Sequence, residues 1–369
     1  MATDSSLANL LADLLAEPTP SPVLWKGLTD WELADENRAR AWGITPDSVD
    51  AALSERLHWL RQMIPHHGSL PLPSAPLGTT LTLYWQLWLP LALTLKQARD
   101  RLPRPLIQGI LGGQGTGKTT LCLILIQLLS AMGYRTLGLS IDDLYKTYAD
   151  RQRLRQRNPR LRWRGPPGTH DVDLGLTMLD QIRQAQPQDT VAVPRFDKSL
   201  HGGEGDRVAP EFVQGVDIVL FEGWFLGARP LDPVALDMRL QEAPDPIQTE
   251  ADRQFARAMN RQLANYLPLW DRLDCLMILY PEDYRLSKVW RQEAEQRMKA
   301  QGKSGMDDAQ IEAFVDYFWQ ALHPDLFIFP LTQNRQHVQL VVEISPDRMP
   351  RAIYTPPNRY YQKAGRQGF

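Results

Sequence analysis

The chain has 369 residues, 43% of them hydrophobic, enough to bury a sizeable core in one elaborated domain or two ordinary ones. Lys and Arg number 41 against 43 Asp and Glu, a formal charge of -2, so no overall field favours nucleic acid or an anionic membrane and any anion chemistry must be local. The two cysteines, Cys122 and Cys275, each lie in an apolar run, which argues against a disulfide framework and for reduced, buried thiols.

The opening residues, Met1 to Glu17, lack the basic start of a signal peptide and the Arg-rich, acid-poor look of a transit peptide, so a cytoplasmic protein is expected. From Ser5 to Ala16, leucines at 7, 10, 11, 14 and 15 follow the spacing of an amphipathic helix, and a proline-rich break follows at Pro18 to Pro22. Thr29 with Glu32 reads as a capping box, and Thr45 with Pro46 as an N-cap with proline in the first helical position. Leu81 to Leu95 is apolar but short for a bilayer and interrupted by Gln86 and Pro90, so a buried helix is expected rather than a membrane span. Residues 1–100 therefore read as a helical region packed on the core.

After Pro103 and Pro105, strand and helix signals alternate. Strands are expected at Leu106 to Leu111, Arg135 to Ile141, Val216 to Phe221, Leu273 to Tyr280 and Val338 to Ile344. Helices are expected at Lys118 to Met132, Asp283 to Ala300 and Asp307 to Leu322. This is the texture of an α/β three-layer fold, a mostly parallel central sheet covered by helices, spanning 101–345. The stretch 346–369, rich in proline, arginine and tyrosine, reads as an extended surface tail.

Gly112-Gly113-Gln114-Gly115-Thr116-Gly117-Lys118-Thr119 fits G-x-x-x-x-G-K-[ST] and stands between an apolar strand and an apolar helix, as a P-loop requires. Its glycines let backbone N–H groups converge on one point, and the helix N-terminus adds partial positive charge, so the segment through Thr120 suits the phosphates of ATP. Lys118 is expected to reach the β- and γ-phosphates, and Thr119 to offer its hydroxyl to Mg²⁺. The motif alone does not separate a kinase from a hydrolysing switch.

Acids on the neighbouring strands bear on that choice. Ser140-Ile141-Asp142-Asp143-Leu144-Tyr145 sets two carboxylates at a strand's C-terminal edge. Asp142 is expected to take the proton of an attacking hydroxyl, with Asp143 near the metal or orienting its neighbour, unless the acids cap the next helix. Glu222, just past Val216 to Phe221, suits the water shell of Mg²⁺, or is a solvated strand end.

Between them runs a basic stretch from Arg151 to Arg162, most of whose arginines are expected on a solvated helix face. The turn-rich loops beyond it offer Arg164, His170, Asp171, Arg195, Lys198 and Arg207 to a small anionic acceptor, with His170 equally suited to a structural role. Arg291, on a helix with Arg285 and Arg297, is expected to act from a lid on the transferring phosphate, or to pair along its helix with Glu293 and Glu295.

With these segments in view, the chain resembles the D-glycerate 3-kinases of plants and cyanobacteria, through GGQGTGKTT, SIDDLY, RNPRLRWRGPPGTHD, VPRFDKSLHGGEGDR, FEGWFLG and WRQEAEQRMKAQGKSGM. More distantly the layout is similar to phosphoribulokinase, uridine kinase and pantothenate kinase. The resemblance implies a P-loop NTPase fold and transfer of the γ-phosphate of ATP to the 3-hydroxyl of D-glycerate, as in photorespiratory glycolate salvage. It implies a small-molecule acceptor; the charge balance leaves neither nucleic acid nor membrane as an expected partner, and the lack of a transit peptide departs from the plant enzymes and suggests a bacterial, cyanobacterial form. Kinases acting on uridine or ribulose 5-phosphate, and a nucleotide-binding regulatory ATPase, are the alternatives.

Overall fold

A computed structural model describes residues 2–69, 75–300 and 306–357. The last twelve residues of the expected tail, and the QGKSG portion of one quoted motif, lie outside the described residues.

Six strands form the main sheet in the order β2-β5-β1-β6-β7-β8. Their ranges are β1 Leu106–Gly112, β2 Thr136–Ser140, β5 Ile218–Gly223, β6 Cys275–Pro281, β7 Leu340–Ile344 and β8 Pro350–Tyr354. β2, β5, β1, β6 and β7 run parallel, and β8 returns antiparallel along β7. The remaining strands, β3 Thr190–Asp197 and β4 Asp206–Gln214, make a separate antiparallel ribbon whose register shifts at Pro194. A proline has no N–H for the ladder, so an irregularity there is expected.

The parallel strands are apolar on both faces because both are covered. Ile107, Leu111, Val219, Phe221 and Ile278 face one core, built with helices Val172–Gln184, Glu250–Leu263 and Asp308–Ala321. Their alternates Leu106, Ile110, Leu220, Met277 and Val342 face another, built with helix Lys118–Ala131 and the N-terminal helices. Both cysteines are free thiols. Among the described residues, no helix is long and apolar enough to cross a membrane. Leu81 to Leu95 is the buried helical segment expected, with a π turn at Tyr84–Trp88 just ahead of Pro90, a residue that cannot donate a helical hydrogen bond.

Some N-terminal expectations need correction. Helix Pro22–Ala34 starts before Thr29, with Ser21 as N-cap and Pro22 in the first turn, so Thr29 and Glu32 form no capping box. Thr45 is not an N-cap either. Its amide bonds to the Ser48 hydroxyl in a turn, and the helix begins at Val49. The tail is partly sheet, since β8 pairs with β7 well past residue 345.

Glu32 faces inward at 0% exposure, paired at 2.8 Å with Arg56, itself 3% exposed. Arg56 also donates to the Trp85 carbonyl and lies 5.0 Å from the Trp85 ring centre. Removing one member leaves a buried charge without its counter-charge. Arg56→Ala should lower unfolding free energy by about 3 kcal/mol in denaturant titration, and a double replacement of Glu32 and Arg56 by leucine should lose less. A single-variant loss within experimental error would contradict this role.

Candidate active site

The pairing order sets β2, β5 and β1 side by side, with Ser140 opposite Glu222 and Glu222 opposite Ile110. Neighbouring strands lie roughly 4.8 Å apart, so the P-loop after β1, Glu222 at the end of β5 and Asp142 after β2 reach one edge of the sheet. Ligands of open parallel sheets bind at that edge.

Gly115 and Gly117 hold φ of +75° and +87°, which side-chain-bearing residues rarely adopt, and these turns carry the chain into helix Lys118–Ala131. The Lys118 ammonium donates to the Gly113 carbonyl at 2.9 Å and stands 3.9 Å from Glu222. The Thr116 hydroxyl donates to the same carbonyl at 2.9 Å. The Thr119 hydroxyl donates to Glu222 at 3.1 Å. Thr119 and Glu222 thus supply two hard oxygen donors at the mouth of the loop, the donor chemistry Mg²⁺ takes.

Asp142 keeps 25% of its side-chain surface open and receives the Lys198 ammonium at 2.6 Å. Burial pushes its carboxyl up, but Lys198 and the Tyr145 hydroxyl more than offset this, so it sits below the ordinary carboxylate value and is ionised. Asp143 has a different setting. It accepts from the Ser140 amide at 3.0 Å as the closing member of a capping box, and from Arg195 at 3.0 Å. The capping alternative therefore describes Asp143, with its carboxylate turned to protein groups and its pKa raised chiefly by burial.

The basic loops divide in the same way. Arg195 is consumed by Asp143, the Gly138 carbonyl and Glu211, which ties β3 to β2 and β4 rather than presenting a free guanidinium. Arg207 spans the Tyr145 carbonyl and Asp171, while Asp171 caps helix Val172–Gln184. Arg164 donates to the Gly203 and Glu204 carbonyls. Arg151, in the stretch read as mostly solvated, is an exception at 6% exposure, bonded to the carbonyls of Lys146, Glu204 and Gly205. Lys198 is the loop cation placed on Asp142.

His170 is buried with its ring stacked on Tyr145, and its Nδ1 lies 2.8 Å from the Tyr266 hydroxyl. The Tyr145 on which it stacks in turn hydrogen-bonds Asp142 through its hydroxyl. On helix Leu286–Ala300, Arg291 pairs with Glu295 and lies over Phe314. The arginine found at the P-loop comes instead from the turn between β7 and β8. Arg348 donates to the Gly115 carbonyl at 3.4 Å, a contact across 233 positions that no local pattern marks.

This layout has solved counterparts. A D-glycerate 3-kinase from Cryptococcus neoformans superposes with a TM-score of 0.65 at 30% identity, covering 72% of this chain and 96% of that one. This chain belongs to the D-glycerate 3-kinase family. A chloroplastic D-glycerate 3-kinase of Arabidopsis thaliana is 30% identical over 263 residues, 68% of this chain and 55% of the plant protein. The chain thus spans about half the length of that plant family member. An uncharacterized kinase of Schizosaccharomyces pombe is 32% identical over 223 residues, covering 58% of this chain and 79% of the yeast protein. No protein-family model matches the chain.

In this member of the D-glycerate 3-kinase family, burial lowers the His170 pKa to about 3 from an ordinary 6.5, so the ring is neutral near pH 7. The unfolded chain takes up a proton at His170 below that ordinary value, so His170 removes stability as pH falls from 6.5 towards 3. His170→Gln should therefore shrink the drop in melting temperature between about pH 7 and about pH 4. An undiminished drop would show that this imidazole is not held neutral by the fold.

Proposed function

We propose that the protein is an ATP-dependent kinase transferring the γ-phosphate of ATP to the 3-hydroxyl of D-glycerate, giving 3-phosphoglycerate and ADP. One observation carries the reading: the P-loop, Glu222 and Asp142 emerge from the adjacent strands β1, β5 and β2. A phosphate donor and a base for an alcohol then share one cleft. The membership of the family and the likeness to named D-glycerate 3-kinases support glycerate as the alcohol.

In this mechanism the P-loop amides and Lys118 hold the β- and γ-phosphates. Asp142, ionised and partly open, orients the 3-hydroxyl of the acceptor and accepts its proton. The freed oxygen forms a bond to the γ-phosphorus as the bond to the bridging oxygen breaks, and ADP departs. Mg²⁺, when bound, neutralises charge on the phosphate oxygens. Thr119 and Glu222 are the residues that would hold it, and Asp143 serves by fixing the turn that aims Asp142. Lys198 exchanges Asp142 for the acceptor's carboxylate, with Arg164 and Arg207 shaping the loops around it. Arg291 enters only if closure of its helix replaces Glu295 with phosphate oxygens. We place the enzyme in the cytoplasm and its product in photorespiratory glycolate salvage, with residues 1–100 as a helical region buttressing the sheet.

Two measurements test the reading together. Asp142→Asn should retain ADP binding while turnover falls by about 10² or more. Near-wild-type turnover in that variant would remove Asp142 from the role of base. In an acceptor panel with ATP, label should appear on D-glycerate and not on uridine, pantothenate or ribulose 5-phosphate. Label on uridine with none on glycerate would overturn the substrate.

A further inference from the structure

Arg348 occupies an unusual position. Its φ is +65°, in the left-handed region, and it is one of two non-glycine residues with positive φ among the described residues. A tight turn fixes it there, with its amide donating to the Ser345 carbonyl at 2.9 Å and the Ser345 hydroxyl donating to the Met349 carbonyl at 2.9 Å. Strained backbone of this kind persists where the surroundings over-determine it, and it often marks a functional position.

The side chain it projects meets the nucleotide loop and the helix that covers it. Its Nε donates to the Gly115 carbonyl at 3.4 Å, and its terminal nitrogen donates to Glu293 at 2.6 Å. The guanidinium lies 5.2 Å from the Trp290 ring centre. Trp290 is itself buried, donates to the Pro346 carbonyl at 3.0 Å, and lies so close to Gly115 that a Cβ there would collide with it.

Peptide planarity turns this contact into a constraint on the phosphate site. In a trans peptide the C=O of one residue and the N–H of the next point in opposite directions. Holding the Gly115 carbonyl towards Arg348 therefore holds the Thr116 N–H the other way. Lys118 and Thr116 fix the Gly113 carbonyl, and with it the Gln114 N–H, from within the loop. Among the hydrogen bonds above, Arg348 makes the one that fixes the Gly115 carbonyl, two residues further on, from outside.

We infer that Arg348 is a positioning residue for the nucleotide, pinning the Gly115–Thr116 peptide so that the P-loop amides stay converged on the phosphates of ATP. The inference rests on the proposal that this loop binds ATP, but not on glycerate being the acceptor. Its effect should be modest, because the hydrogen bond is long and surface-facing.

The test uses the full chain, Arg348→Gly and Arg348→Asn, with ADP binding followed by calorimetry. Glycine and asparagine both accept the left-handed conformation, so the turn survives while the guanidinium is lost. ADP should bind each variant about fivefold more weakly, as for one net hydrogen bond. The KM for ATP should rise in step, the KM for the acceptor should stay unchanged, and the melting temperature of Arg348→Gly should not fall. Equal ADP affinity in wild type and both variants would overturn the inference. So would a parallel rise in both KM values with a lower melting temperature, the mark of a purely structural residue. Absence of ADP binding to the wild type would overturn the P-loop reading and this inference with it.

Discussion

A triphosphate brings several negative charges to one point, and a protein with almost no net charge must meet them with local geometry. Here that geometry descends from strand pairing. Because β1 lies between β5 and β6, and β5 between β2 and β1, the loop that wraps phosphate, the carboxylate beside it and the carboxylate beyond are set at the spacing of hydrogen-bonded strands. Both cores serve this arrangement. The helices on either face bury alternate residues of the same strands, so the edge carrying the site is held from above and below.

Around that edge, most of the charge is spent on structure. Arg195, Arg207 and Arg151 tie carbonyls and carboxylates into the loops that face Asp142, and their burial and bonding leave little free cation. Lys198 differs because its charge rests on Asp142, the carboxylate proposed as the base. An ion pair of this kind keeps Asp142 ionised, and in the proposed reaction its lysine would change partners when an acidic acceptor arrives.

The legible part of the sequence was the part whose physics is local. A glycine-rich turn between an apolar strand and an apolar helix admits few structures, so the P-loop could be placed to the residue, as could Asp142 and Glu222 at strand ends. Glu32 misled because a glutamate three places after a threonine carries a capping signal even when tertiary burial decides its fate. Asp143 sits three places after Ser140 and closes a local capping box, and the approach of Arg195 to it and of Lys198 to Asp142, from another strand and loop, completes the separation of the two acids. Arg348 had no local signal at all, since its partners Gly115 and Glu293 are brought to it by the sheet. β8 was hidden for a similar reason: Pro350–Tyr354 is short, begins with proline and becomes a strand because β7 offers an open edge.

The central claim is that an alcohol held by Asp142 faces a phosphate held by the loop at Gly112 to Thr119. A crystal structure with Mg²⁺, a non-hydrolysable ATP analogue and D-glycerate tests this most directly. The account predicts the 3-hydroxyl oxygen hydrogen-bonded to Asp142 and about 3–3.5 Å from the γ-phosphorus, in line with the bridging oxygen. Glycerate bound away from Asp142, or a triphosphate seated outside the P-loop, would contradict it.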